Sequence, residues 1–292
     1  MVSYGQTIAD TNVKATIIKK VVYVQSDLIS VGTKVIPTMN LDVLDVNFIY
    51  PSSMTGKYPV ADDARASREK ITWSTYALEL KKAQVPYFIT DSAKLRSVQG
   101  VQNTINARRA AEALAVLKDD DIIDVLDGGA GTTNTAGAYW DSESGDPESD
   151  IADAYGKLLS ESNASMADLT SLALIVPAAV AGQLMKLTLI GNVQQSIASY
   201  IKGTYGIEVY PTRSTQLTTA SLLFVKGGST ANHGVLSDAA ARAAGVPLVE
   251  HERVIGSGDD YLISQWFKTV IVEDGSATGQ TDRIVKINSV DA

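Results

Sequence analysis

TDSAKLRSVQGVQNTINARRAAEALAVLKDDDIIDVLDGG, residues 90–129, is the stretch around which the rest of the chain is organised. Ala, Leu, Arg, Gln and Glu dominate it and no proline interrupts it, so it predicts one long helix. Asp91 or Ser92 can cap its start by accepting a backbone N–H, and Gly128–Gly129 is expected to end it in a left-handed turn. Thirty-odd helical residues span roughly 50 Å at ~1.5 Å each. A compact domain does not need that length, which points to a strut across a flat or extended molecule. Leu95, Val98, Val101 and Ile105 share one face. Beyond Arg108 and Arg109, the residues Ala110, Ala111, Leu114, Val116 and Leu117 wrap more of the circumference, which predicts deeper burial there. Gly100 sits inside the helix at a cost of about 1 kcal/mol relative to Ala, as a tolerated poor residue or as the site of a bend or a close backbone contact.

Upstream, residues 41–90 read as a two-stranded β-ribbon. LDVLDVNFIYP and KITWSTYALELKKAQVPYFIT are its β-rich runs, and PSSMTGKYPVADDARASREK is a polar tip between them. An isolated ribbon is marginal in water, so this one is expected to rest on a partner. Residues 1–40 predict an arm: a β-prone run at Ile17–Val24, then VGTKVIP as a second extended piece. Lys14, Lys19 and Lys20 read as an ordinary solvated face.

Downstream, residues 130–149 are rich in Gly, Ser, Thr, Asp and Glu and read as a linker. A small α/β domain is predicted over 150–255. It contains helices at Asp150–Glu161, after Pro177 and at Asn192–Lys202, strands at 172–177, 206–212 and 221–227, and a short helix at 237–245. Two long alternating strands, 256–292, close the chain around the polar turn GSATGQ.

Composition removes several functions. The absence of cysteine excludes disulfides, thiolate catalysis and cysteine-based zinc sites. His233 and His251 are too few for a histidine-rich metal site. No apolar run approaches the ~18 residues that cross a bilayer, and the start lacks a basic-then-apolar leader, so a cytoplasmic protein without membrane contact is expected. The net charge of −8 argues against a dedicated nucleic-acid-binding module. That charge is uneven: +3 over residues 1–120, −10 over 121–174 and −1 thereafter, which predicts electrically different faces.

Catalytic patterns are weak. GGAGTTNTAG (128–137) lacks the lysine of a phosphate loop and reads as a hinge. DDDIIDVLD lacks the glycine and glutamate of a calcium loop and reads as an acidic helix end on the surface. His251–Glu252 has no second histidine four residues on, and His233 lies in a loop. No nucleophile, base and orienting group assemble, so no enzyme, metal or cofactor is expected.

The order of parts resembles the major capsid proteins of tailed double-stranded DNA viruses, the Hong Kong 97 fold. QVPYFITDSAKLR resembles the family's strand running into its spine helix, and AEALAVLKDDDIIDVLDGGAG the end of that helix. SLALIVPAAVAGQLMKL resembles the axial strand-to-helix joint, and GIEVYPTRSTQLTTASLLFVKG the strands that precede the final return. The resemblance implies an α+β chain with an N-terminal arm (1–40), an extended loop ribbon (41–90), a spine helix (91–129), a linker (130–149), an axial domain (150–255) and returning peripheral strands (256–292).

It also implies hexamers and pentamers of an icosahedral shell, assembled in a host cytoplasm around double-stranded DNA. Some relatives carry an N-terminal scaffolding segment for which there is no room here, so either a separate scaffold exists or the sequence is a processed form. Met1 favours the former, and a separate scaffold and a portal protein are the expected partners. Met54, Lys57, Tyr58 and Trp73 of the ribbon, with Arg108 and Arg109, are the expected assembly contacts. Some relatives crosslink a loop lysine to an asparagine. Lys57, Lys70 and Asn288 occupy comparable places, but lysines in a polar loop read as solvated. The related alternative is an encapsulin shell holding a cargo enzyme; a second is an unrelated cytoplasmic α/β enzyme.

Overall fold

The computed structural model describes residues 18, 22–51, 70–92, 99–162, 171–190, 193–226, 239–272 and 279–292. Its strands are β1 Met39–Leu41, β2 Asp45–Pro51, β3 Trp73–Glu79, β4 Lys81–Thr90, β5 Ala130–Thr135, β6 Leu172–Pro177, β7 Leu187–Ile190, β8 Val193–Ser196, β9 Ile207–Thr212, β10 Ala220–Val225, β11 Ala240–Gly245, β12 Leu248–Val254, β13 Gly258–Ile271 and β14 Thr281–Asn288. They form two five-stranded sheets and two hairpins. The predicted α+β class holds.

The long helix runs Gln99–Gly128, about 45 Å at ~1.5 Å per residue. Its buried side is one stripe, from Ala107, Ala110, Ala111 and Leu114 to Ile122, Ile123 and Leu126. The first part of the stripe packs with Ile89, Tyr261, Ile263 and Phe267 of the first sheet. The last part packs with Ile175, Leu222, Phe224 and Ile284 of the second. One helix therefore bridges both sheets, and its length follows from that. Val116 and Leu117 are exposed, so the burial does not wrap the second half as the sequence implied.

Strand β13 is the backbone of the first sheet. β4 pairs along one edge, from Gly258↔Thr90 to Phe267↔Lys81, while β12 and then β11 pair along the other, and β1 adds in parallel to β11. His251, Tyr261 and Tyr87 stand opposite one another on β12, β13 and β4. Their rings stack with centroids 4.6 and 4.8 Å apart, a cross-strand ladder that fixes the register.

The second sheet has the order β5-β14-β10-β6-β9. Leu172, Leu174 and Val176 face one core, beneath helices Pro147–Glu161, Ala178–Met185 and Ile197–Tyr205. Ala173 and Ile175 face the other, beneath the long helix. Both faces are covered, which is why LALIVP is continuously apolar.

Several expectations are corrected. SDAAARAAG is no helix: Ala240–Gly245 is a fully buried strand. Ala240 and Ala244 face the helix side, while Ala241 and Ala243 face Leu78, Leu80 and Val272. Small side chains let a strand fit between two layers, and that packing overrides alanine's helix propensity. The β-prone run near residue 22 is helical over 22–29, and VGTKVIP contains the short helix Gly32–Val35. Residues 193–196 are the strand β8, so the helix predicted from Asn192 begins only at Ile197, capped by Ser196.

The domain limits shift as well. Of 41–90, only β2 and β3 pair as a ribbon, since β4 joins the first sheet. The expected linker contains β5, paired in parallel with β14, and Trp140, which is 2% exposed and donates its Nε1–H to Asp150. β11 and β12, expected in the axial domain, belong to the first sheet, whereas β14, expected with the peripheral strands, belongs to the second. β13 and β14 therefore do not form a hairpin.

No left-handed turn ends the long helix, because neither Gly128 nor Gly129 has positive φ. Gly129 is required by space: a Cβ there would strike the Ile271 side chain and lie 2.9 Å from the Val125 carbonyl oxygen.

Candidate assembly surfaces

Among the described residues, the ribbon is rooted at one end against the first sheet. Asp45↔Glu79 through Pro51↔Trp73 pair antiparallel. At the root, Leu78 and Leu80 pack against Ala241, Ala243 and Val272, and the Leu80 N–H donates to the Leu44 carbonyl at 2.9 Å. At the far end Trp73 is 63% exposed and Ile71 is exposed, and at the root Val43 and Leu44 are exposed as well. The first and last ribbon rungs thus differ: a carboxylate pair, Asp45 opposite Glu79, at the root, and an indole opposite Pro51 at the far end. Like charges placed directly across the root rung oppose pairing there.

Met54, Lys57 and Tyr58 lie outside the described residues. Arg108 and Arg109 sit on the outer side of the long helix with side chains 72% and 78% exposed, each within reach of Glu112. Exposed pairs of this kind contribute little to stability, so both guanidinium groups remain available. Lys70 is exposed, and Asn288 is half-buried at the end of β14, flanked by Ala220 and Thr135.

The acidic end of the long helix is not a free surface. Asp119 accepts from Ser30 Oγ at 2.6 Å and from the Gly32 and Val31 N–H groups at 2.8 and 3.2 Å. Asp120 accepts from Ser214, Asp121 from Thr269 at 2.8 Å, and Asp127 from Lys286 at 2.8 Å. Successive carboxylates on one helix reach the N-terminal segment, the loop before β10 and both sheets. Of the acidic segment 121–174, Asp121 and Asp127 are thus paired with Lys268 and Lys286 inside the subunit. The sequence showed the run of aspartates but not their partners, which lie up to 159 residues away.

A second exposed corner joins β9 to helix Ile197–Tyr205. Lys226 donates to Tyr210 Oη at 2.8 Å and to Glu208 at 3.1 Å, with Lys202 3.3 Å from Glu208. The Tyr210 hydroxyl and the two ammonium groups pull the Glu208 carboxyl down to about 2. Met185 and Leu187 are exposed nearby in sequence, on the helix end and on β7. Among the described residues no group of three or more His, Asp or Glu could hold a metal ion, and no helix is long and apolar enough to cross a membrane.

Comparison with known proteins gives one consistent result. A family model described as phage capsid protein matches residues 87–284. No curated protein sequence matches. Among solved structures, a virus-like particle from Pyrococcus furiosus superposes with a TM-score of 0.62 at 13% identity, covering 93% of this chain and 98% of that one. Mycobacterium phage Che8 gives 0.55 at 19% identity, covering 86% of each chain. The capsid of the native GTA particle gives 0.58 at 10% identity, covering 90% and 91%. These structures share the fold, and the fold is that of the Hong Kong 97 type.

Proposed function

The chain belongs to the phage capsid protein family, which makes it a structural protein whose copies form the shell of a virion, and we propose that they do so as hexamers and pentamers of an icosahedral shell around double-stranded DNA. The observation that carries this reading is the ribbon, rooted at Leu78 and Leu80 and presenting Trp73 to solvent. A neighbouring copy supplies the surface on which it rests. Family membership favours the virus over a shell that holds a cargo enzyme, and over an unrelated enzyme. Assembly in the host cytoplasm, with a separate scaffold and a portal protein, completes the proposal. Negative-stain microscopy of the purified chain, alone and with a scaffold, tests it. Closed particles are expected, and a persistent monomer under both conditions sinks it.

Trp73→Ala is the sharper test of the ribbon. Buried tryptophans at interfaces commonly contribute 2 kcal/mol or more, and ~1.4 kcal/mol is tenfold in a binding constant. Each ribbon contact should therefore weaken at least about tenfold, and particles should vanish at concentrations where the parent assembles. The unfolding midpoint of the free subunit should stay put, because the side chain is 63% exposed. Unchanged assembly would remove Trp73 from the interface.

Arg108 and Arg109, expected from the sequence as assembly contacts, are proposed to face the packaged genome instead of a neighbouring subunit, making non-specific phosphate contacts. Arg108→Gln with Arg109→Gln should leave shells intact and reduce the salt slope of DNA binding by roughly two for each strand segment contacted. An unchanged slope would place both residues elsewhere.

A further inference from the structure

Among the described residues Arg242 is the largest fully buried side chain, 1% exposed in the middle of β11. Its Nη1 donates to Thr38 Oγ1 at 2.8 Å, and the guanidinium lies 5.0 Å from the centroid of the Phe267 ring. Its Nε and Nη2 are buried without a hydrogen-bond partner. The two atoms are the parallel donor pair of the guanidinium edge, the one that matches two oxygens of an oxyanion. Arg242 lines a cavity of about 230 Å³ shared with Asp27, Thr38, Asn40, Lys118 and Gln265.

The nearby carboxylates do not complete it. Asp27 pairs with Lys118, Asp119 holds Ser30 and Gly32, and Asp121 holds Thr269 and Lys268. Burial pushes both Arg242 and Lys118 below their usual ranges. Gln265, 5% exposed, lines the same cavity with an unpartnered Oε1. Turned over about its last torsion, the same amide presents N–H groups instead. Two cations, one carboxylate and two amides then form a wall whose unspent capacity is mostly donor.

We propose that this cavity binds a small tetrahedral oxyanion of the phosphate class, held side-on by Nε and Nη2 of Arg242 and supported by the amides of Gln265 and Asn40. The bound ion would complete the joint between residues 26–40, the long helix and β11. It enters as a free ion, because a buried guanidinium edge is out of reach of a nucleic-acid backbone.

Equilibrium dialysis of the full-length chain with radiolabelled phosphate tests the site directly, and saturable binding at one ion per chain is expected. The unfolding midpoint should rise in phosphate over chloride at matched ionic strength, by an increment that grows with the logarithm of concentration. Gln265→Glu supplies a carboxylate from the cavity wall. It should raise the midpoint in chloride and abolish the phosphate increment. Absence of saturable binding to the parent chain overturns the proposal, whatever the variant does. So does an increment of equal size in the variant, or displacement of phosphate by a single-stranded oligonucleotide.

Discussion

Gly258→Ala is expected to destabilise the subunit by about 3 kcal/mol or more, at the upper end of what overpacking costs. Gly258 opens β13 opposite Thr90, the last rung between β13 and β4. A Cβ there would enter the Ile89 carbonyl oxygen and stand 2.8 Å from the Phe88 ring and 2.9 Å from the Ile89 carbonyl carbon. Two of those atoms are backbone, and the strand they belong to is paired along its whole length down to Lys81. The clash can be relieved only by opening the sheet edge next to the long helix. Gly256, in the same turn, provides the comparison. It has φ +73° and nothing near its missing Cβ, so Gly256→Ala should cost only about 1–2 kcal/mol, from the left-handed backbone. Urea unfolding of the free subunits measures both. A Gly258→Ala variant within about 0.5 kcal/mol of the parent would mean that β4 and β13 do not approach as described.

Asp119→Ala is expected to cost about 2–3 kcal/mol, since one carboxylate serves three donors. In the short helix Gly32–Val35, Ser30 Oγ accepts from the Thr33 N–H at 3.2 Å, but Val31 at the N-cap position has no polar side chain to hold the Val31 and Gly32 N–H groups. Asp119 does so from the long helix, accepting from Ser30 Oγ, Val31 N–H and Gly32 N–H. Removing it leaves two backbone donors and a hydroxyl to find water at a half-buried joint. Asp119→Asn keeps one acceptor oxygen and should lose about half as much. Hydrogen exchange separates this from a general loss of stability. The Val31 and Gly32 amides should lose protection first, while those of β13 keep theirs. Uniform loss across both segments would mean that Asp119 does not act as a cap.

Both predictions rest on contacts between distant parts of the chain, and that marks how far the sequence could be read. The long helix was legible because helix-forming residues run without proline from Gln99 to Gly128. The ribbon was legible from its alternation, although its second strand was read too long. Leu80 breaks the run, and Lys81–Thr90 turns away to pair with β13. The trio of His251, Tyr261 and Tyr87 carries no sequence signal, since a ladder across three strands exists only once their register is set. The buried Arg242 had one faint mark, a lone charge in an alanine-rich run. The alanines of that run favour a helix, which would put the charge on a solvent face.

The sequence by itself determined the order of parts, the helix at their centre, the ribbon before it and the apolar strands after it, because local periodicity and propensity carry those. Tertiary structure alone decided which strands share a sheet. β5 lies beside β14 and β11 between β1 and β13, arrangements that close backbone approach at Gly131 and small side chains in β11 make possible. It also turned Asp119, Asp120, Asp121 and Asp127 from an expected acidic surface into clamps. A charge is visible in a sequence, but its partner is chosen only when the chain brings the two together.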